Sequence, residues 1–258
     1  MRHVWLLAVL GCGRLDFGLV ADHSDAARVA GSDAAGARDG AADPSLVAWY
    51  RMEALVGSNG ILGVVDSSGV TQTLASCTVG GNCPTIVPGQ VGNAAHFDGM
   101  TTILTAASAP PLIDSTFTIG AWFLVESVNP DGGCMMTKGL GTGICNSWAA
   151  CIDETAIPYF YTCQGSASDS LQGMTQVSLE SWHYVAATWD GSTKNFWLDG
   201  NVIATDMPAG IDFDSDPVYI GGDVDNGGQV TLLGGMVDEV RVYNRVLSDA
   251  EIVALSAQ

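Results

Sequence analysis

The sequence is poor in positive charge. Nine Lys and Arg stand against 28 Asp and Glu, a formal net charge of −19. Such a chain repels the phosphates of DNA and RNA and anionic lipid surfaces, which excludes nucleic acid as an expected partner. Long hydrophobic runs are missing too; none approaches the roughly 20 residues of a membrane-crossing helix. The four histidines are scattered and the cysteines show no C-x₂-C pairing, which argues against a zinc site. No H-E-x-x-H, G-x-S-x-G or P-loop pattern occurs. "GLGTG" at Gly139–Gly143 lacks the third glycine and following helix of a dinucleotide loop, so it reads as a plain loop. His96 and His183 fall on predicted strands without an acidic or cysteine partner visible in the sequence.

What is present suggests an all-β fold rich in turns. Hydrophobic residues make up 47% of the chain and there are 32 glycines. In "STFTIGAWFLVE" (Ser115–Glu126), Phe117, Ile119, Ala121, Phe123 and Val125 alternate with Thr118, Gly120, Trp122 and Leu124. The stretch "WHYVAATWDGSTKNFWLDGNVIA" (Trp182–Ala204) reads as a meander of three strands turning at Asp190-Gly191 and Asp199-Gly200. Trp182, Tyr184, Ala186 and Thr188 share one face of its first strand; His183, Val185, Ala187 and Trp189 share the other. Neither face is plainly polar, so each is expected to be covered, or one to be a ligand surface. After a last strand at Met236–Tyr243, Ser248-Asp249-Ala250-Glu251 has the S-x-x-E spacing of a capping box and predicts a short C-terminal helix.

The N-terminal "MRHVWLLAVLGCG" resembles a bacterial lipoprotein signal, with a lipobox at Val9-Leu10-Gly11-Cys12. That resemblance implies removal of residues 1–11 and lipidation of Cys12; Gly13 after it mildly favours the outer membrane or cell surface. Residues 12–44 are rich in Ala, Asp and Gly, cannot bury enough surface to offset ordering, and read as a flexible tether. The domain is expected over residues 45–258. With Cys12 set apart, six of the seven cysteines remain, an even number suited to disulfides in an exported domain. The pairs expected are Cys77–Cys83, Cys151–Cys163 and Cys134–Cys145.

"LVAWYRME", "DSSG", "HFDG", "FTIGAWF", "WHYVAATWDG", "FWLDG", "VYIGGD" and "VDEVRVYNRVLSDAEI" follow one another over Leu46–Leu255. In that order they resemble a laminin-G-like domain of the concanavalin A-like superfamily. The resemblance implies a jelly-roll sandwich of two antiparallel sheets and a role in binding carbohydrate or protein. On it Trp182, Trp189 and Trp197 are expected to fill the space between sheets, while Trp148, Tyr159 and Tyr161 are candidates for a sugar platform. It also implies a structural calcium at Asp238, with Asp98 as a weaker ligand; hard cations take oxygen ligands, many of them backbone carbonyls. Asp212, Asp214 and Asp216 have the opening spacing of an EF-hand, but Pro217 stands where glycine is needed, and this string, like Asp223–Gly228, is read as a solvated loop.

The same superfamily includes glycoside hydrolases, whose paired carboxylates alternate along one strand face. Ile152–Glu154 and Val237–Val240 instead place adjacent acids on opposite faces. The expectation is therefore a non-catalytic, lipid-tethered module that binds a glycan or surface protein. A hydrolase with unusual carboxylate placement and a purely structural envelope component are the alternatives.

Overall fold

The computed structural model describes residues 43–108, 116–141 and 143–258. Cys12, the lipoprotein signal and nearly all of the tether lie outside them. Among the described residues the chain order opens with β1 (Leu46–Tyr50), β2 (Val56–Ser58), β3 (Ile61–Val65), β4 (Leu74–Thr78), β5 (Thr85–Pro88), β6 (Asn93–Asp98) and β7 (Leu104–Ala106). It continues with β8 (Phe117–Ser127), β9 (Gly133–Gly139), β10 (Asn146–Ile152), β11 (Pro158–Gln164), β12 (Ala167–Gln172) and β13 (Trp182–Trp189). The last elements are β14 (Lys194–Leu198), β15 (Asn201–Asp206), β16 (Val218–Ile220), β17 (Asp223–Asp225), β18 (Gly228–Val230), β19 (Gly234–Tyr243) and α1 (Asp249–Leu255).

These strands form two large antiparallel sheets, the all-β sandwich expected. The first runs β15-β14-β13-β8-β19-β6-β5, with β1 also on β19; the second runs β12-β11-β10-β9-β16-β7-β4-β3-β2. The alternation of β8 and β13 sets the packing. Phe117, Ile119, Ala121, Phe123, Val125, Val185, Ala187 and Trp189 enter the inter-sheet core with Phe97, Trp148, Phe160 and Phe196. Full burial of one such side chain contributes about 1.5–3 kcal/mol, so this layer is the main source of stability.

The opposite face of the first sheet is covered as well, by α1. Trp122, Tyr184, Trp197, Tyr243, Leu247 and Ile252 form a second cluster, with Trp182 and Leu255 packed at its edge. This corrects the expected position of two tryptophans. Trp189 lies between the sheets, but Trp182 and Trp197 belong to the layer under the helix. The capping box holds α1 in place: the Ser248 N–H donates to Glu251 Oε2 at 2.7 Å and the Ser248 hydroxyl accepts from the Glu251 N–H. Arg245 binds Glu251 and Asp43, tying the helix entry to the start of the domain.

Three disulfides are present, Cys77–Cys83, Cys134–Cys151 and Cys145–Cys163. The last two replace the expected Cys151–Cys163 and Cys134–Cys145, and strand register is the reason. Cys151 stands directly opposite Cys134 on β9, whereas its partner on β11 is Tyr159, four positions from Cys163. Cys145, just before β10, is thereby left beside Cys163.

Candidate functional site

The outer face of the second sheet carries the candidate site. Along β10, Trp148, Ala150 and Ile152 point into the core, while Ala149 and Cys151 point out. Trp148 is only 1% exposed and packs 6.2 Å from the Phe117 ring, so it cannot serve as the sugar platform expected of it. The period of a strand sends its neighbours outward in its place. Tyr159 and Tyr161, two apart on β11, lie half-buried on the outer face against Ala149 and the Cys134–Cys151 bridge.

A hollow of about 220 Å³ opens there. Its floor is Ala149 and the disulfide, one wall is Tyr159 and Tyr161, and the other is Asn146, Asp223, Asp225 and Thr231, with Ile144 at the rim. The two aspartates sit on β17, which pairs with β18 through a two-residue Asn226-Gly227 turn. Both turn residues have positive φ, +50° and +80°, the conformation that an Asn-Gly hairpin supplies. The segment read as a solvated loop is thus a hairpin that delivers carboxylates to the hollow. The Asn-Gly pair was the signal that could have revealed it.

Asp223 is buried and fixed. Its Oδ1 accepts from the Thr137 hydroxyl at 3.1 Å and the Val224 N–H at 2.8 Å; its Oδ2 accepts from Asn146 Nδ2 at 2.7 Å. Asp225 differs: its Oδ1 and the neighbouring Thr231 hydroxyl are buried without a hydrogen-bond partner. Burial, and then the Asp223 charge, push the Asp225 carboxyl pKa upward from its ordinary value. Burial followed by the charges of Asp223 and Asp153 pushes the Tyr159 phenol up to about 12, which leaves it a neutral donor at physiological pH. The hollow therefore offers aromatic faces, a phenol donor and acceptors that lack partners.

The calcium candidates separate. Asp98 Oδ1 accepts from the N–H groups of Met100, Thr101 and Thr102 and from the Thr102 hydroxyl, and Oδ2 accepts from the Thr101 hydroxyl. Burial would raise its pKa, but the Thr101 and Met100 N–H groups outweigh it and hold the carboxyl well below the usual range. Donors surround Asp98, so it caps a turn and does not fit a cation. Asp238 does fit one. It lies at the β19 bulge, where pairing passes from β6 to β1. Its Oδ2 accepts from the Val91 N–H at 2.8 Å, while Oδ1 is buried and unpartnered. Burial, with the charges of Glu239 and Glu53, pushes this carboxyl up to about 7. Glu239 itself is committed to Arg241, Arg51 and the Trp49 indole. Among the described residues no three His, Cys, Asp or Glu side chains converge on a metal position, so a calcium here would draw on backbone carbonyls.

His183, without a visible partner in the sequence, has two in the structure. Its Nδ1 lies 2.8 Å from Asp199 Oδ2 and its Nε2 lies 2.8 Å from Ser178 Oγ. The order resembles a Ser-His-Asp triad. However, Ser178 is exposed, none of the three lines the hollow at Tyr159 and Tyr161, and Asp199 also caps the Tyr184 N–H at 2.8 Å. The arrangement staples the segment before β13 to the β14–β15 turn. His96 is bonded at 2.8 Å to Glu126 on the first sheet.

Two antiparallel layers, one backed by a helix and the other bearing a tyrosine-walled hollow, define a lectin-like β-sandwich. The chain belongs to the concanavalin A-like lectin/glucanases superfamily: its laminin-G family matches residues 97–253. No curated protein matches the sequence. Solved structures match by fold. The binding domain of Paraclostridial mosquitocidal protein 1 is 15% identical with a TM-score of 0.63, over 82% of this chain and 52% of that one. Domain 4 of AbnA, an extracellular arabinanase from Geobacillus stearothermophilus solved with arabinotriose, is 13% identical with a TM-score of 0.62, over 82% of this chain and 98% of that one. The Ruminococcus gnavus IT-sialidase CBM40, solved with α2,3 sialyllactose, is 21% identical with a TM-score of 0.50, over 58% of this chain and 91% of that one. The chain thus spans about half of the first of these and nearly all of the second.

Proposed function

We propose that this protein is a non-catalytic glycan-binding module whose site is the hollow between Tyr159–Tyr161 and the β17–β18 hairpin. One observation carries the reading: two half-buried tyrosines line one hollow with buried polar atoms of Asp225 and Thr231 that have no hydrogen-bond partner among the described residues. Sugars present apolar ring faces and hydroxyl donors together, and recognition sites pair an apolar wall with a few placed polar groups. The arabinotriose and sialyllactose named for two fold neighbours support the same direction. The three disulfides suit an oxidising, extracellular setting. On this reading Cys12 carries lipid and residues 12–44 hold the module away from a bacterial envelope; labelled-lipid incorporation that persists in Cys12→Ser overturns the anchor alone.

A glycan array run with and without EDTA tests the proposal. Specific binding by the folded protein, lost in Tyr159→Ala/Tyr161→Ala with an unchanged circular dichroism spectrum, is expected. Binding that survives the double variant places the ligand elsewhere. Calcium, where bound, would be held by Asp238 with backbone carbonyls and would pin β19 to the β5–β6 turn; a calcium-induced rise in Tm that Asp238→Asn abolishes is its signature.

One feature favours the hydrolytic alternative: Asp223 and Asp225 alternate on one strand and line one hollow. A carboxylate has about four acceptor positions, and three of those on Asp223 are filled by Thr137, Val224 and Asn146, which fits a structural anchor better than a nucleophile. New reducing ends from an array-positive glycan, lost in Asp225→Asn, would reverse that judgement.

A further inference from the structure

The hollow does not stand alone. A second one, about 280 Å³, shares Thr231 with it and is lined by Asn129, Asp131 and Gln229. A third, about 360 Å³, shares Tyr159 with the first and Asp131 with the second, and adds Asp153, Glu154 and Gln172. The three adjoin through Thr231, Tyr159 and Asp131 as one depression. Its size suits several sugar units, since a drug-sized ligand occupies a pocket of about 300–1,000 Å³.

The charge of this depression is one-sided. Asp131, Asp153, Glu154, Asp223 and Asp225 line it, and among the described residues no Lys, Arg or His does. Asp153 is spent on the Thr155 and Ile157 N–H groups and on Gln172, and Asp223 on the bonds above. Asp131 and Glu154 have no such partners among the described hydrogen bonds and ion pairs, and Asp225 has its buried, unpartnered oxygen. A sugar acid placed here would meet like charge with no counter-ion, which disfavours its binding. A neutral sugar would fill the tyrosine wall but leave the carboxylates uncompensated. A protonated amine would meet the partly exposed Asp225 carboxylate and the rim carboxylates with complementary charge.

Resting on the glycan-binding reading above, we propose that the site selects oligosaccharides bearing free amino groups, of the de-N-acetylated amino-sugar class, and excludes acidic sugars such as sialic acid. The ring faces stack on Tyr159 and Tyr161, one ammonium reaches Asp225 beside Thr231, and further ammonium groups along the chain face Asp131 and Glu154.

Isothermal titration calorimetry at near-neutral pH tests this with three probes: a β-1,4-linked glucosamine tetramer, its fully N-acetylated counterpart and 3′-sialyllactose. The amino tetramer is expected to bind roughly tenfold or more tightly than the acetylated one. Its affinity should fall with added salt, as screened charge attraction must, and sialyllactose should not bind. Asp225→Asn should narrow the ratio between the first two probes. Equal or tighter binding of the acetylated tetramer or of sialyllactose overturns the charge selection and leaves the glycan reading standing. A ratio untouched by Asp225→Asn and by salt likewise overturns it. Failure of all three probes, together with a blank glycan array, overturns the glycan reading itself.

Discussion

Lys194 begins β14, points into the sandwich and is fully buried, yet carries an ammonium. That ammonium donates to Asp169 Oδ1 on β12 at 3.0 Å and to Thr162 Oγ1 on β11 at 3.1 Å, and lies 5.6 Å from the Phe160 ring centroid. It bolts the first sheet to the strand that bears Tyr159 and Tyr161. The two ends of the bolt are not equivalent, since the Asp169 side chain keeps 28% exposure and Lys194 none. Asp169→Ala strands a buried cation, which costs about 3 kcal/mol, the low end for a broken buried pair because Thr162 remains. Lys194→Met keeps the apolar stem and leaves a carboxylate that water can reach, so it costs about 1 kcal/mol, the worth of an ordinary hydrogen bond. The double variant should sit near Lys194→Met, because no cation remains to be stranded. Burial already holds the Lys194 pKa below its usual 10.5 against the pull of Asp169. The unfolded chain therefore binds more protons in the window below 10.5, and the deficit of Asp169→Ala should shrink as pH rises through it. Urea unfolding of the oxidised protein at several pH values measures all of this. If Lys194→Met proves as costly as Asp169→Ala, or the deficit is flat with pH, the reasoning fails.

Three other outcomes are expected. Tyr50 is buried, its hydroxyl lies 2.5 Å from the Thr73 hydroxyl, and burial pushes its pKa from 10.0 to about 12. Its contribution, about 2–3 kcal/mol, is fully present below pH 10 and is lost as pH climbs toward 12, so unfolding free energy should fall over that window in the wild type but much less in Tyr50→Phe. Gly221, at φ +83°, leaves no room for a Cβ beside the Phe97 ring, whereas Gly60, at φ +81°, has open space. Gly60→Ala should cost about 1 kcal/mol of backbone strain and Gly221→Ala several, read as a much larger drop in the urea midpoint. Finally, His183→Ala should remove two bonds and about 1–2 kcal/mol of stability, while activated esters are hydrolysed no faster by the wild type than by Ser178→Ala; a rate lost with Ser178 would show the staple to be a working nucleophile.

Much of the fold was legible in residue order. The period of two along Phe117–Val125 and Trp182–Trp189 matched the strands and their facing, the S-x-x-E signature marked α1, and the string of short motifs pointed to the sandwich. The site was legible only in part. Tyr159 and Tyr161 line the hollow, but Trp148, three residues from Cys145 in the sequence, is turned into the core by the same alternation that exposes Ala149 and Cys151.

Local sequence determined which side chains share a strand face, where turns fall, where the helix starts, and that the surface is acidic. Those properties depend on neighbours a few residues apart, through backbone geometry and composition. Tertiary structure alone decided which face meets the second sheet and which meets α1, which cysteines stand opposite, and that the β17–β18 hairpin brings Asp223 and Asp225 against tyrosines more than sixty positions earlier. Pairing register between distant strands governs all three, because shifting a strand by one residue exchanges its two faces.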